Sequence, residues 1–389
     1  MGVYSEYLDR NFGFEDLTSE RKKQLARIAQ LRGGRAILVY AADLNKGSSG
    51  ASISVDYSDL LPVSDQLANL DGDKLDVILE TPGGDGSVAE DIVRTLRGRF
   101  KDIGFIVPGY AKSAGTIMVM AGDEILMGPT SALGPIDAQL FWQGKVFSAE
   151  ALLEGMEKIK SEVIKTGALN KAYIPILQNI SPGELQSAQN ALDFACRLVT
   201  DWLRTYKFKD WTHHKSTGQP VTADEKRVRA DEIANELRSH KKWLTHSRSI
   251  KIADLQGMRL LVTDYTEQPE LADAIQRYYT LLQLTFATNI YKVIETPSSQ
   301  IYRFIAPNAP PPSQGPAGAA QVAVVKVKCP KCGTEKEVQA NLGVAKPVEA
   351  GKILFPTDNK YRCPNCQLEI DLGDVRRQIE AQARQRVVP

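Results

Sequence analysis

The chain has 389 residues, with 48 Lys and Arg against 47 Asp and Glu and a formal charge of +1. That balance excludes a global electrostatic drive toward nucleic acid or anionic membranes, and no apolar run of the roughly eighteen residues a membrane span needs is present. The length allows one large domain plus a small one. Five cysteines are few for this length, and four form two close pairs. This favours a reducing compartment and metal ligation over a disulfide framework. The charged N-terminal segment has no apolar stretch of the signal-peptide kind, so the expectation is a cytoplasmic protein.

Residues 1–32 read as a polar helical segment with Leu25, Ile28 and Leu31 as a thin apolar stripe. The first strand is predicted at 36–40, then a Gly/Ser-rich loop, an extended stretch at 53–55 and a helix over 57–69. Two short apolar runs, 75–79 and 103–107, read as strands. Between them lie Thr81-Pro82-Gly83-Gly84 and a helix over 87–99, with Val88, Ile92, Val93 and Leu96 at helical spacing. After the second strand comes Tyr110-Ala111-Lys112-Ser113-Ala114-Gly115-Thr116. The unit is strand, glycine turn, helix, strand, serine turn, helix. A right-handed crossover makes such strands parallel and brings both turns to one edge of the sheet. A hydroxyl at a helix N-terminus would then face bare backbone N–H groups suited to an oxyanion. Taken alone, Pro-Gly-Gly is merely a turn and Ser113 a helix N-cap.

Asp123-Glu124-Ile125-Leu126-Met127 and a turn-rich stretch to Asp137 follow. Residues 148–203 are predicted mostly helical with breaks at Pro175 and Pro182, 222–237 a charged helix, 260–262 a last short strand and 267–293 a long helix. Residues 306–321 are too rich in Pro, Gly and Ala to build a core and read as a linker. The expected organisation is a helical segment at 1–32, a main domain at 33–305, the linker at 306–321 and a small module at 322–389.

Thr81-Pro82-Gly83-Gly84, Ala111-Lys112-Ser113-Ala114-Gly115-Thr116, Ala121-Gly122-Asp123-Glu124-Ile125 and Leu133-Gly134-Pro135-Ile136-Asp137, in this order, resemble the ClpP-class serine peptidases. The match is closest to the serine dehydrogenase proteinase family, related to ClpP and signal peptide peptidase A, over roughly residues 33–265. The resemblance implies an α/β fold of the ClpP/crotonase spiroid type with added helices, and peptide hydrolysis through a serine. It implies Ser113 as nucleophile and Gly83, Gly84 and the N–H of Ala114 as the oxyanion hole. Glycines suit that role because no Cβ blocks a substrate carbonyl.

The base is less direct. ClpP enzymes carry a histidine in the slot where this chain has Asp137. Serine dehydrogenase proteinases are described as using serine, aspartate and histidine, the histidine in a Trp-Thr-His stretch. The counterpart here is Trp243-Leu244-Thr245-His246, with Leu244 inserted, so the resemblance makes His246 the preferred base. Asp137 is then its orienting carboxylate or a direct neighbour of Ser113. His213, in a second Trp-Thr-His, ranks lower. Signal peptide peptidase A uses a lysine instead, and Lys165 and Lys171 fall in that region; either would need desolvation to lose its proton near neutral pH. Lys112 reads as exposed or at an oligomer contact.

Cys329-Pro330-Lys331-Cys332 and Cys363-Pro364-Asn365-Cys366 are two Cys-x-x-Cys knuckles. A single pair fits a redox motif, but two within one small module fit a structural tetrahedral zinc held by four thiolates, a zinc ribbon. Gly333 permits the tight turn of the first. A ribbon on a linker is expected to dock a substrate or a protein partner, with nucleic acid the weaker expectation because acidic residues dilute its basic ones. The sequence thus predicts a cytoplasmic serine endopeptidase on peptide or protein substrates, assembled as a homo-oligomer. The alternatives are a catalytically weak peptide-binding scaffold of the same fold, or a Ser-Lys dyad peptidase like signal peptide peptidase A.

Overall fold

The computed structural model describes residues 2–142, 145–214, 216–305, 322–383 and 385–388; the linker expected at 306–321 lies outside them. The chain divides into two compact units, 1–309 and 310–389. In the first, α1 (Val3–Asp9) and α2 (Phe14–Leu31) precede β1 (Ala36–Ala42). Then come α3 (Leu60–Ala68), β2 (Lys74–Glu80), α4 (Gly86–Arg99), β3 (Asp102–Val107) and the short β4 (Tyr110–Ala111). The chain continues through α5 (Ala114–Val119), β5 (Glu124–Met127) and β6 (Ala132–Leu133) to a hairpin of β7 (Gln139–Trp142) and β8 (Lys145–Ser148). Next are α6 (Ala149–Thr166), α7 (Ile174–Leu177), α8 (Pro182–Trp202), α9 (Ala223–Arg238), α10 (His240–Trp243) and α11 (Ile252–Gly257). The unit closes with β9 (Thr263–Asp264), α12 (Pro269–Phe286), β10 (Ile290–Glu295) and β11 (Gln300–Phe304).

Among the described residues the main sheet has seven strands in the order β11-β10-β1-β2-β3-β5-β9. From β1 to β9 neighbours are parallel; β10 and β11 extend the edge antiparallel. Central strands are mostly apolar because helices cover both faces, with Asp76 of β2 a buried exception paired with Arg32 and Arg35. Period-two alternation sends Leu38, Tyr40, Val77 and Leu79 into one core with residues of α4, α5, α8 and α9. It sends Ile37, Val39, Ile78 and Ile106 into the other, against Leu25 and Ile28 of α2 and Ile275, Tyr278 and Leu282 of α12. The crossover logic holds: β2 and β3 are parallel, and both turns lie at their C-terminal ends.

The helix expected over 267–293 stops at Phe286, and the rest becomes β10. Its apolar spacing suits either period, and buried polar partners decide for the strand. Lys292 in β10 is fully buried and donates to both Asp59 carboxylate oxygens at 2.9 and 2.8 Å and to Ser54 O at 2.9 Å. Glu295 is held by Arg21 at 2.9 and 3.1 Å and by Tyr278 Oη at 2.8 Å. Charges this deep persist only when paired and hydrogen-bonded. The strand expected at 260–262 falls slightly later and is shorter, as β9.

In the second unit β12 (Val322–Lys328) and β13 (Glu335–Leu342) form an antiparallel hairpin. They are followed by β14 (Ile353–Leu354), β15 (Lys360–Arg362), β16 (Glu369–Asp371), α13 (Gly373–Ala383) and β17 (Val387–Val388). Its own small core includes Val327, Val338, Phe355, Tyr361 and Leu372. Among the described residues no helix is long and apolar enough to cross a membrane.

Glu80 closes β2 immediately before the glycine turn and is almost wholly buried. Burial pushes its carboxyl up to about 8, against smaller opposing hydrogen bonds from Tyr279 and Gln283. The folded chain therefore holds a proton that the unfolded chain releases above its ordinary value of 4.5. The stabilisation is complete below that value and is lost as pH rises through about 8. Glu80→Gln should remove this dependence. Relative to the variant, the wild type should lose more than about 1 kcal/mol of unfolding free energy between about pH 5 and about pH 8, read from denaturant titrations.

Candidate active site

Ser113 occupies the strand-to-helix turn between β4 and α5 with φ +50° and ψ −117°. A serine outside the favoured regions persists only where its surroundings over-determine it. Here the flanking backbone is held on both sides. Thr81 N–H donates to Tyr110 O at 2.9 Å and Lys112 N–H to Thr81 O at 3.0 Å. The buried Thr116 hydroxyl lies 2.8 Å from Ala111 O and 2.9 Å from both the carbonyl and the amide of Gly134. It thereby ties α5 to the segment leading to Asp137. The Ser113 side chain makes no capping bond to α5, so the helix does not consume its hydroxyl. It faces a cleft of about 310 Å³ shared with Gly84, Ala114, Asp137 and the apolar Ile117, Ile136 and Phe194.

The glycine turn lies directly against this turn. Gly83 and Gly84 have φ +103° and +149°. A Cβ on Gly83 would lie 2.6 Å from Ser113 Cβ and 2.8 Å from Lys112 O; one on Gly84 would lie 2.4 Å from Val55 O. Neither position has room for another residue. The two glycines nevertheless differ. Gly83 N–H donates to Thr81 Oγ1 at 3.1 Å, so the oxyanion donor expected there is already engaged. Among the described residues the Gly84 and Ala114 amides have no partner. Gly83 provides close approach, and Gly84 and Ala114 are the open donors.

Asp137 is buried, 1% exposed, and its Oδ1 lies 2.6 Å from His246 Nδ1. Gln139 Nε2 donates to its Oδ2 at 2.9 Å. His240 Nδ1 stands 3.7 Å from the same oxygen, a neighbour that sequence reasoning missed because no motif surrounds it. The segments meet through a two-way backbone exchange between Leu133 and Ile250, 3.0 Å each way. The inserted Leu244 ends α10 in the left-handed region at φ +64°. Among the described residues neither Asp137 nor His246 is hydrogen-bonded to the Ser113 hydroxyl; Asp137 shares its cleft. The other candidate bases lie elsewhere. Lys165 and Lys171 are exposed, without the burial such a lysine requires, and exposed His213 contacts Thr212 Oγ1 at 3.1 Å.

In the second unit the Sγ atoms of Cys329, Cys332, Cys363 and Cys366 all lie within 4.8 Å of one another. Two hairpin ends build this cluster alike. Gly333 N–H donates to Cys329 O and Gln367 N–H to Cys363 O, both at 2.9 Å. Both donors are left-handed, at φ +75° and +60°. The glycine was legible as a turn residue; its glutamine counterpart was not. Cys329 Sγ and Cys366 Sγ, and Cys332 Sγ and Cys363 Sγ, are 3.5 Å apart. A tetrahedron with metal–sulfur bonds of about 2.3 Å has edges of about 3.8 Å, so four thiolates here fit one metal ion with no open position.

Because the glycine turn tolerates no Cβ, Gly83→Ala should cost stability and reshape the cleft. We expect the unfolding midpoint in a denaturant titration to drop, since strain and a backbone clash act together.

Residues 15–218 match the ClpP-like SDH-type serine proteinase family. The match contains Gly83, Gly84, Ser113 and Asp137 and ends before His246. Among curated proteins of Methanocaldococcus jannaschii, the uncharacterized protein MJ0137 is 29% identical over 160 residues, covering 39% of this chain and 50% of that protein. The uncharacterized protein MJ1495 is 32% identical over 100 residues, covering 26% and 34%. The chain thus spans about half and about a third of these relatives. Among solved structures, a serine-to-alanine mutant of the 1510-N membrane-bound stomatin-specific protease aligns at 19% identity, with a TM-score of 0.22, over 29% of this chain and 60% of that one. The family match covers more than half of the sequence, and the chain belongs to the ClpP-like SDH-type serine proteinases.

Proposed function

We propose that the chain hydrolyses peptide bonds in peptide or protein substrates, with Ser113 as nucleophile, His246 as base and Asp137 as the carboxylate that orients it. The observation that carries this reading is the 2.6 Å contact between Asp137 Oδ1 and His246 Nδ1. An ionised carboxylate accepts only, so Nδ1 carries the proton and the Nε2 lone pair is left free. Nε2 takes the Ser113 proton as Oγ attacks the substrate carbonyl, and the Gly84 and Ala114 amides receive the developing oxyanion. His246 then protonates the leaving amine, and water repeats the cycle on the acyl-enzyme. The serine–histidine bond closes in the substrate complex, as such bonds tighten on binding. The apolar walls at Ile117, Ile136 and Phe194 suit an apolar substrate side chain.

The fold is read as the ClpP/crotonase spiroid type, working in the cytoplasm as a homo-oligomer. The four-cysteine unit is read as a zinc ribbon that docks substrate or a partner protein. Zinc there would be structural, held by Cys329, Cys332, Cys363 and Cys366, since four thiolates leave no position for a reacting group.

A fluorophosphonate probe should label wild type and not Ser113→Ala. Equal labelling of the two removes the nucleophile; no labelling of either leaves the peptide-binding scaffold. Asp137→Asn and His246→Ala should lower hydrolysis by about 10²–10⁴-fold, with Lys165→Ala, Lys171→Ala and His213→Ala near wild type. For the second unit, metal analysis should find one zinc per chain, and chelation should abolish the protease resistance of residues beyond 321. A metal-free preparation with that resistance intact would overturn the zinc reading.

A further inference from the structure

Lys112 directly precedes Ser113, and from sequence it reads as a surface residue. The structure half-buries it. Its aliphatic chain passes over Gly134, where an added Cβ would lie 2.8 Å from Lys112 Cδ and 3.4 Å from Cα. That glycine is therefore the opening through which the side chain runs. The ammonium then donates to Leu133 O at 3.0 Å, Arg248 O at 3.0 Å and Ser249 Oγ at 3.1 Å. An ammonium has three protons, and all three are placed.

These acceptors lie on two segments with different chemical roles. Leu133 stands at the end of β6, on the stretch that leads to Asp137. Arg248 and Ser249 belong to the loop that carries His246. Lys112 itself is bonded to the nucleophile, and its carbonyl lies against Gly83. Among the described residues no carboxylate pairs with it, so its donors serve neutral oxygens at this junction. A solvated lysine gains nothing from such an arrangement, and a contact meant for another subunit would leave the ammonium outward.

We propose that Lys112 is a positioning residue that locks the His246 loop to the nucleophile turn, so that base, carboxylate and serine share one frame. The inference rests on the reading of His246 as base. The side chain touches no reacting atom and acts through the loop. Without it, Leu133–Ile250 pairing still holds one end of the loop, but Arg248 and Ser249, two and three residues after His246, lose their tether to the serine turn.

The test is a double-mutant cycle on the full chain, read as the second-order rate of fluorophosphonate labelling. Lys112→Met should slow labelling by about 10–100-fold, the scale of an ångström-level misplacement, while the thermal midpoint moves little. Ser249→Ala, which deletes one acceptor and leaves the fold intact, should slow it less and in the same direction. If Lys112 acts through His246, Lys112→Met adds nothing in a His246→Ala background. Additive slowing in the double variant, or wild-type labelling by Lys112→Met, overturns this inference and leaves the base assignment standing. Wild-type labelling by His246→Ala overturns both.

Discussion

Two stretches of backbone in direct contact set the conditions for everything else in the first unit. The turn at Gly83 and Gly84 is packed so closely that a methyl group on Gly83 would overlap the turn at Lys112, Ser113 and Ala114, and one on Gly84 would overlap Val55. Such contact is available only to glycine, with no Cβ and free access to positive φ. It leaves the Gly84 and Ala114 amides without a partner among the described residues, on the cleft that Ser113 also lines. It also holds Ser113 in a conformation that an isolated chain would abandon.

That strain is supported by the sheet. β2 and β3 are adjacent and parallel, so the turns at their ends must meet. Thr81 exchanges backbone bonds with Tyr110 and Lys112, and the Thr116 hydroxyl carries the register across to Gly134. From Gly134 the chain needs only three more residues to reach Asp137, which enters the cleft already buried. His246 comes from far along the chain and is the last group to be placed. Its loop depends on side chains and a short bridge rather than on a continuous ladder, which makes its anchoring the least redundant part of the site.

The far edge of the sheet shows a different constraint. Arg21, Asp59, Lys292 and Glu295 are all fully buried, and each has an opposite charge within hydrogen-bond reach. Paired charges at this depth do little for net stability but penalise any arrangement that separates them. They therefore select one register for β10 against β1, and with it the course of the chain after α12. The second unit achieves the same selectivity differently, through two hairpin ends whose thiolates come together only when both hairpins form.

Much of this was legible in the sequence, and the gaps have physical causes. Strand–turn–helix order, the glycine turn, the serine turn and the paired cysteines are local patterns whose geometry follows from residue type, and the structure has these turns at the ends of parallel strands and brings the four thiols together. The helix over-extended to residue 293 failed because Ile290 to Ile294 carry apolar residues that fit both periods. Only the distant partners of Lys292 and Glu295 distinguish them. Gly83 was assigned as an amide donor because sequence cannot reveal that Thr81 Oγ1 already occupies that amide. His240 beside Asp137 and Lys112 beneath the His246 loop carry no motif, since their meaning lies in contacts between segments far apart in the chain. By itself the sequence determined which residue types stand at the turns, because backbone sterics and helix spacing act over a few residues. Tertiary structure alone decided which donors remain open and that His240 stands with His246 beside Asp137, because those depend on packing that no local pattern encodes.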